Sequence, residues 1–242
     1  MKKGFTLAEV LITLGIIGVV AALAAPALNN ATQKAKVGPT LSKFMSTLEV
    51  AHEHMLADNQ ADSISAIVGK NNEVYLTELS KYVKGIKVSE KITDFTPAPA
   101  TYAGLTNGDG SPSAEVDVDE FTVYSFADGS AMAINLYDRN DNQKGGAYKG
   151  AIINLWFDIN GFDKKPNRSG KDEFRFYIDD GGAVYPDGGN VKKQLFELNG
   201  KRTNGHHWNE AKGACNETDV KRGGVYCGAS VVDNGFKVIY KY

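Results

Sequence analysis

Apolar residues fill the first stretch of the chain, KKGFTLAEVLITLGIIGVVAALAAPAL, in which Glu9 is the one carboxylate. Residues 10–25 contain no charged side chain. As one helix, residues 5–28 would extend about 36 Å at about 1.5 Å per residue, which is enough to cross the hydrocarbon core of a bilayer. A charged side chain near that core costs about 2.5 kcal/mol or more on insertion scales, so the presence of Glu9 requires an explanation.

The next stretch, residues 29–57, has the spacing of an amphipathic helix. Its apolar positions recur every three or four residues and predict one stripe that packs on a core: Leu41, Phe44, Leu48, Ala51 and Met55. The dipeptide Gly38-Pro39 is expected to kink this helix or to divide it into two. His52 and His54 flank the stripe, and we expect both on a polar face without a ligand role.

Strand patterns dominate the second half of the chain, after a short predicted helix over residues 73–83 and a Pro- and Gly-rich surface loop over residues 89–113. FTVYSFADGSAMAINLY predicts a hairpin around Asp128-Gly129, GAIINLWFDI a buried strand, and DEFRFYIDDGGAVYP an alternating strand that leads into a Gly-rich turn. CGASVVDNGFKVIYKY predicts two further strands around its Asn-Gly pair. A long helix followed by antiparallel strands predicts an α+β fold, with a globular head over residues 58–242.

Composition and charge narrow the classes of function. The chain has 242 residues and a net charge of −2 from 27 basic and 29 acidic residues, which gives no indication of a nucleic-acid-binding patch. Its two cysteines, Cys215 and Cys227, lie close together in the sequence. Such a pair indicates one disulfide in an exported chain and means little in a cytosolic one, so the N-terminus decides how it is interpreted.

Lys2 and Lys3, which precede the apolar run, indicate export with the lysine end on the cytoplasmic side. Two processing schemes are compatible with this pattern. An ordinary signal peptidase could cleave at the A-x-A site that ends at Ala24 and release a periplasmic or surface binding protein. Alternatively, cleavage between Gly4 and Phe5 would keep the apolar run as the first helix of the mature protein.

The second scheme agrees with a family resemblance. The segment Gly4-Phe5-Thr6-Leu7-Ala8-Glu9 resembles the prepilin cleavage and methylation motif of type IV pilins and type II secretion pseudopilins. Gly18 and Pro26 fall where that family has a glycine that lowers helix propensity and a proline that kinks the helix. The resemblance is detailed in the N-terminal segment, and it extends to the rest of the chain only in architecture and in the C-terminal cysteine pair.

This resemblance implies a structural subunit of a type IV pilus or a type II secretion pseudopilus, and not an enzyme. It implies a leader peptide (residues 1–4), a transmembrane and polymerisation helix (5–28), an amphipathic continuation (29–57) and the head, with N-methylation of Phe5 after cleavage. The implied partners are other pilin or pseudopilin subunits, a prepilin peptidase, an inner-membrane assembly platform and, before assembly, membrane lipid. The subunit would cross the inner membrane once, with its N-terminus cytoplasmic, and then enter a periplasmic or cell-surface filament.

The implied cleavage gives Glu9 a physical role. It would free the α-amino group of Phe5, which is positive near neutral pH, about one helical turn from Glu9. In a bundle of such helices the Glu9 carboxylate of one subunit could pair with the Phe5 amine of a neighbour, and a paired ion avoids most of its desolvation penalty. Gly18 and Pro26 mark a stretch of weak helix propensity, which the resemblance suggests loses helicity when subunits pack into a filament.

A second candidate site is the stretch DINGFDKKPNRSGKDEF, which is rich in oxygen ligands of the kind that Ca²⁺ prefers. The candidate ligands are Asp158, Asn160, Asp163, Asn167 and Asp172. The spacing differs from an EF-hand because Gly161 stands at the fourth position. Resemblance to major pseudopilins, which carry calcium in a loop of the C-terminal region, adds to this expectation, whereas Asx turns that cap strands would give the same composition without a metal.

Other candidate chemistry is weak. His206-His207-Trp208, near Glu210 and Cys215, is expected to be a surface loop and not a zinc site, since adjacent histidines point to different sides. No nucleophile elbow, phosphate-binding glycine loop or pair of catalytic carboxylates stands out, so no residue supports a membrane-tethered enzyme.

Overall fold

A computed structural model describes residues 4, 6–89, 121–136, 151–164, 167–188, 215 and 226–240. Its helices are α1 (Leu7–Asp58), α2 (Ile64–Val68), α3 (Asn72–Leu79) and α4 (Cys227–Asp233). Its strands are β1 (Gly85–Ser89), β2 (Thr122–Phe126), β3 (Ala131–Leu136), β4 (Ala151–Asp158), β5 (Glu173–Asp179) and β6 (Val184–Pro186). The strands form one sheet in chain order, with every neighbouring pair antiparallel, so the predicted α+β fold is confirmed.

Helix α1 is continuous over 52 residues and contains both Pro26 and Pro39. Of the two outcomes expected at Gly38-Pro39, the division into two helices is therefore wrong, and the kink stays a prediction. Gly38 has a different role, because a Cβ atom at this position would collide with the backbone carbonyl of Phe236. The glycine allows the C-terminal segment to cross α1 in direct contact, and Lys34 Nζ donates to the Tyr240 carbonyl 2.9 Å away at the same crossing.

The second half of α1 packs on the sheet through the predicted stripe, whose members are all buried: Leu41, Phe44, Leu48, Ala51 and Met55. Phe44 stacks on Phe157 of β4 with ring centroids 3.8 Å apart, and it lies 5.5 Å from the ring of Phe176 on β5. Burial of one such aromatic side chain contributes about 1.5 to 3 kcal/mol. Through Phe44 the stripe thus packs α1 on strands β4 and β5.

The sheet agrees with most of the strand predictions. β2 and β3 pair around a turn at Asp128-Gly129, where Gly129 has a φ of +88° and Ser130 donates its backbone N–H to the Asp128 carboxylate. Residues 151–158 form the predicted buried strand, and β5 leads through a turn at Gly182 into β6. The short helix is present as α3, whereas the surface loop predicted over residues 89–113 lies, after Ser89, outside the described residues.

The C-terminal segment differs from prediction. Residues 227–233 form helix α4, not a strand, and the chain beyond the turn at Gly235 has no strand pairing within the described residues. The side chains from Cys227 to Val231 are buried, and α4 packs on β5, β6 and α1. Gly228 comes close to Phe174, where an added Cβ would lie 3.7 Å from that side chain. The segment is therefore buried as a helix on the sheet, an arrangement that the Asn-Gly signal for a hairpin does not reveal.

The predicted disulfide between Cys215 and Cys227 is present, with the two Cα atoms 5.0 Å apart. The two residues are 12 positions apart in the sequence, and a closed loop of this length contributes about 3 kcal/mol in the chain-entropy model. Cys227 is the first residue of α4, so the bond fixes the start of this helix. It does not precede a pair of marginal strands, as the sequence had suggested.

His52 is buried, which contradicts its predicted place on a polar face, while His54 is exposed as expected. His52 Nδ1 lies 2.8 Å from the Gly182 carbonyl, which can only accept, and Nε2 lies 2.8 Å from the Tyr75 hydroxyl. Nδ1 therefore donates, and in the neutral imidazole Nε2 accepts from the Tyr75 hydroxyl, so the ring connects α1 to α3 and to the β5–β6 turn. Burial lowers the pKa of His52 to about 4.

This burial predicts a pH dependence of stability. In the unfolded chain a histidine has a pKa of about 6.5, so between about pH 6.5 and pH 4 the unfolded chain binds a proton that folded His52 does not bind. The free energy of unfolding therefore decreases as the pH falls through this window. We expect the free energy of unfolding to fall by about 2 kcal/mol between pH 7 and pH 5 because of His52. Denaturant titrations at several pH values measure this slope. His52→Gln should flatten it and the exposed His54→Gln should not; equal slopes for wild type and His52→Gln would contradict the assignment.

Candidate functional site

The first half of α1 is an exposed apolar surface. Every described side chain from Leu7 to Pro26 is exposed, and Leu7 and Leu23 are 79% and 75% accessible. By length and composition α1 contains a segment able to span a membrane, and none of that segment is buried in the head. Soluble monomers rarely expose a continuous apolar surface of this size, and such a surface is suited to contact with lipid or with other helices.

Glu9 lies in the first turn of this helix and takes part in a capping box. Thr6 is the N-cap, and its Oγ1 accepts the backbone N–H of Glu9 at 3.3 Å. Glu9 Oε2 in turn accepts the Thr6 N–H at 2.8 Å and the Thr6 hydroxyl at 2.9 Å. Two of the otherwise unsatisfied N–H groups at the helix start are thereby bonded. The T-x-x-E signature of this box is visible in the sequence.

The structure places the other predicted assembly residues on the same exposed segment. Glu9, Gly18 and Pro26 all lie in the uncovered half of α1, and an added Cβ at Gly18 would meet nothing within 4 Å. Gly4 is exposed before the helix begins, and Phe5 lies outside the described residues. Glu9 Oε1 accepts no hydrogen bond within the described part of the chain, which leaves one carboxylate oxygen available to a neighbouring group.

The predicted calcium stretch forms the connection between β4 and β5, and two of its carboxylates organise the backbone. Asp158 Oδ1 accepts the N–H groups of Asn160 and Gly161 at 2.8 and 2.9 Å, and Gly161 has a φ of +92° in the resulting turn. The Asp172 carboxylate accepts the N–H groups of Asn167 and Arg168 at 2.9 and 2.6 Å. The bonds to Asp158 form an Asx-type turn of the kind that the sequence offered as the alternative to a metal, whereas Asp172 accepts from residues that precede it in the chain.

A third carboxylate, Glu173, joins this cluster and was missed by the sequence reasoning. Asp158 and Glu173 are direct cross-strand partners, so their side chains project from the same face of the sheet. Both are fully buried, and within the described residues neither Glu173 oxygen, nor Asp158 Oδ2, has a hydrogen-bond partner. Burial, followed by the neighbouring carboxylates, raises the pKa of both groups well above their usual values; burial also raises the pKa of Asp172 to about 6.

The remaining predicted ligands divide into two groups. Asn160 and Asn167 lie in the same connection, and Asn167 Nδ2 donates to the Phe162 carbonyl at 2.8 Å, whereas Asp163 is exposed. Among the described residues, no group of three or more His, Cys, Asp or Glu side chains is arranged to hold a metal ion. Any cation here would therefore rest on two carboxylates, Asp158 and Glu173, with neutral oxygens around it. Their unpaired buried oxygens fit such a role.

The histidine-containing stretch that was weighed as a zinc site lies mostly outside the described residues. His206, His207, Trp208 and Glu210 lie outside the described residues, while Cys215 is in the disulfide.

Comparisons with known proteins agree with the N-terminal site. The family described as "Prokaryotic N-terminal methylation motif" matches residues 1–25. The type IV major pilin protein PilE of Neisseria gonorrhoeae is 31% identical over 98 residues, which are 40% of this chain and 56% of that protein. A fimbrial protein of Neisseria meningitidis serogroup B is 30% identical over 94 residues, 38% of this chain and 53% of that protein.

The chain spans about half the length of the curated relatives it matches, and no solved structure matches it significantly. The matched motif coincides with the segment that carries the capping box and the exposed apolar surface. The chain carries the prokaryotic N-terminal methylation motif and resembles type IV pilins, with a pilin-like α+β fold.

Proposed function

We propose that this protein is a structural subunit of a type IV pilus or a type II secretion pseudopilus. The observation that carries the proposal is the exposed apolar surface of the first half of α1, which has the Thr6–Glu9 capping box at its start. The second half of the same helix packs on the head. Such a helix is stable in lipid and, alternatively, in a bundle of identical helices. A subunit of this kind would pass from the membrane into a filament without refolding its head.

The proposal includes a life cycle for the subunit, in keeping with the family resemblance. A prepilin peptidase removes residues 1–4, the freed Phe5 amine is methylated, and residues 5–28 hold the subunit in the inner membrane with its N-terminus cytoplasmic. An inner-membrane assembly platform then transfers the helix from lipid into a filament of other subunits. Residues 29–57 connect this helix to the head, which faces the periplasm or the cell exterior. The role is structural, and the matched relatives carry the names of a pilin and a fimbrial protein.

Processing at Gly4 provides the direct test. Gly4 is exposed ahead of the capped helix, and we expect the peptidase to require a residue without a side chain at the position before the scissile bond. Gly4→Val should reduce maturation at least about tenfold, which corresponds to about 1.4 kcal/mol in transition-state binding, and should leave a longer precursor that retains Lys2 and Lys3. N-terminal sequencing and intact mass of the membrane fraction measure both forms.

Substitution of Gly15, an exposed glycine inside the helix, is the matched control, since Gly15→Val should be processed normally. A mature wild-type chain that begins at Ala25 would instead support a secreted protein cleaved after Ala24, and a Gly4→Val chain that matures normally would refute cleavage at Gly4.

A further inference from the structure

Residues 234–240 run alongside α1 where its exposed apolar half ends. They meet the helix at two points: Phe236 lies against Gly38, and the Tyr240 carbonyl accepts a hydrogen bond from Lys34 Nζ at 2.9 Å. As the chain advances from 236 to 240, its contacts on α1 move back from 38 to 34, so the segment runs toward the apolar half of the helix. Within the described residues, Lys34 is also the first residue of α1 that bonds to the head. The segment therefore lies at the edge of the head that adjoins the apolar half of α1.

Exposure alternates along this segment. Phe236 and Val238 pack against the core and Tyr240 is buried, whereas Lys237 and Ile239 are exposed. Ile239 is 56% accessible, and a single exposed isoleucine needs no explanation by itself. Here it follows an exposed lysine on the outward side of the segment, so an apolar and a cationic side chain are presented together. Such a pair is suited to a boundary between an apolar and an anionic layer.

The charge beside this segment is positive. Residues 10–48 contain no Asp or Glu, and their basic residues are Lys34, Lys36 and Lys43. Lys43 forms an ion pair with Asp128 at 2.7 Å, whereas the bond of Lys34 is to a neutral carbonyl. Lys36 is exposed and, like Lys34, has no acidic partner within the described part of the chain. These two lysines and the exposed lysine of the segment carry positive charge that no described carboxylate balances.

Distance along the helix brings this charge to the level of a membrane surface, on the proposed function in which residues 5–28 span the bilayer. The span of about 36 Å exceeds a hydrocarbon core of about 30 Å, and such a helix fits the core by tilting. Lys34 follows residue 28 by six positions, or about 9 Å along the axis. A tilt that matches the span to the core places Lys34 about 7 Å above the hydrocarbon, at the level of the phospholipid headgroups.

We propose that residues 234–240, together with Lys36, dock on the anionic phospholipid headgroups of the membrane before assembly, and that this contact sets the direction in which α1 tilts. Interfacial anchors of this kind determine the tilt and rotation of spanning helices. The bilayer around the apolar half of α1 continues directly into such a headgroup layer. A second copy of the chain in the same membrane presents the same positive edge at the same height, so it would be repelled and not bound there.

Site-specific quenching in nanodiscs tests the proposal on the full chain. Because Cys215 and Cys227 form the disulfide, Ile239→Cys supplies the free thiol for an apolar bimane label. Val50→Cys is the matched control, since Val50 is 50% accessible and lies about 33 Å beyond residue 28 along α1. The nanodiscs contain phosphatidylcholine alone or with phosphatidylglycerol, and a headgroup-spin-labelled phospholipid is the quencher. We expect quenching of the label at 239 in the anionic discs, and no quenching of the label at 50 in either lipid.

Charge substitutions test which groups recognise the lipid. Each lysine near an anionic surface favours contact about fivefold, so Lys36→Gln combined with Lys237→Gln should lower the ratio of quenched to unquenched label by about 25-fold. Lys70→Gln, in the exposed turn after α2, is the control and should leave this ratio unchanged. Salt at about 1 M, where the Debye length is about 3 Å, should release the label in the wild-type background.

A label in the apolar half separates this inference from the proposed function. Quenching of the Leu23→Cys label by an acyl-chain spin label, without quenching of the Ile239→Cys label in anionic discs, would overturn the headgroup contact and leave the spanning helix intact. Absence of quenching at both positions would contradict the spanning helix and this inference with it. Equal quenching of the Ile239→Cys label in both lipids would overturn the recognition of anionic headgroups. Cross-linking of Ile239→Cys to a second copy, in place of quenching, would assign the surface to contacts between subunits.

Discussion

Glu9→Gln should leave export and cleavage intact and reduce incorporation into filaments at least about tenfold, because a desolvated amine at a neighbouring helix start loses its charged partner. Glutamine at this position retains the capping box with Thr6, since the third helical position accepts either Glu or Gln. The substitution therefore removes the charge and preserves the local helix start. Sheared filament fractions, compared with the amount of mature subunit in the membrane, measure incorporation.

Two companion variants separate charge from capping. Glu9→Ala should fail to assemble to the same extent as Glu9→Gln, because both lack the carboxylate. Thr6→Ser should assemble normally, since serine keeps the hydroxyl that bonds to Glu9. Normal assembly of Glu9→Gln together with failure of Glu9→Ala would show that Glu9 acts only as a helix cap, and the pairing with the Phe5 amine would then be excluded.

Gly38→Ala should destabilise the head by about 3 kcal/mol and lower its melting temperature by about 6 to 12 °C. In an exposed helix the same substitution stabilises by about 1 kcal/mol, so the sign of the effect depends on tertiary contact alone. The new Cβ would collide with the Phe236 carbonyl, and a backbone atom cannot move aside as the end of a flexible side chain can. The C-terminal segment would have to leave α1, with loss of the bond from Lys34 to the Tyr240 carbonyl.

Thermal melts of the full chain in detergent micelles measure this effect, and limited proteolysis should show earlier cleavage within residues 226–240. Gly18→Ala is the matched control because it lies in the same helix with open space around it, and it should leave the melting temperature of the head unchanged. A Gly38→Ala protein that melts at or above the wild-type temperature would contradict the close crossing.

Local patterns in the sequence were sufficient for features that depend on neighbours along the chain. The apolar run, the Thr6–Glu9 spacing, the stripe from Leu41 to Met55 and the Asp128-Gly129 hairpin are each specified within a few residues, and the structure contains all of them. The helix spacing of the stripe repeats over several turns, which makes it a strong signal. The capping box is equally local, because its two side chains bond to each other's backbone.

The sequence by itself therefore determined the exposed N-terminal helix, the helix-on-sheet plan and the residues that the methylation motif contains. Only the tertiary structure decided that His52 is buried, that Gly38 is a crossing point, that residues 227–233 are helical and that Glu173 faces Asp158. Each of these depends on partners far away in the chain: His52 on Gly182, Gly38 on Phe236, and α4 on the surface of β5. A histidine, a glycine or a glutamate has the same local preferences whether it is buried or exposed. Its role is therefore decided by the distant backbone or side chain that the fold brings into contact with it.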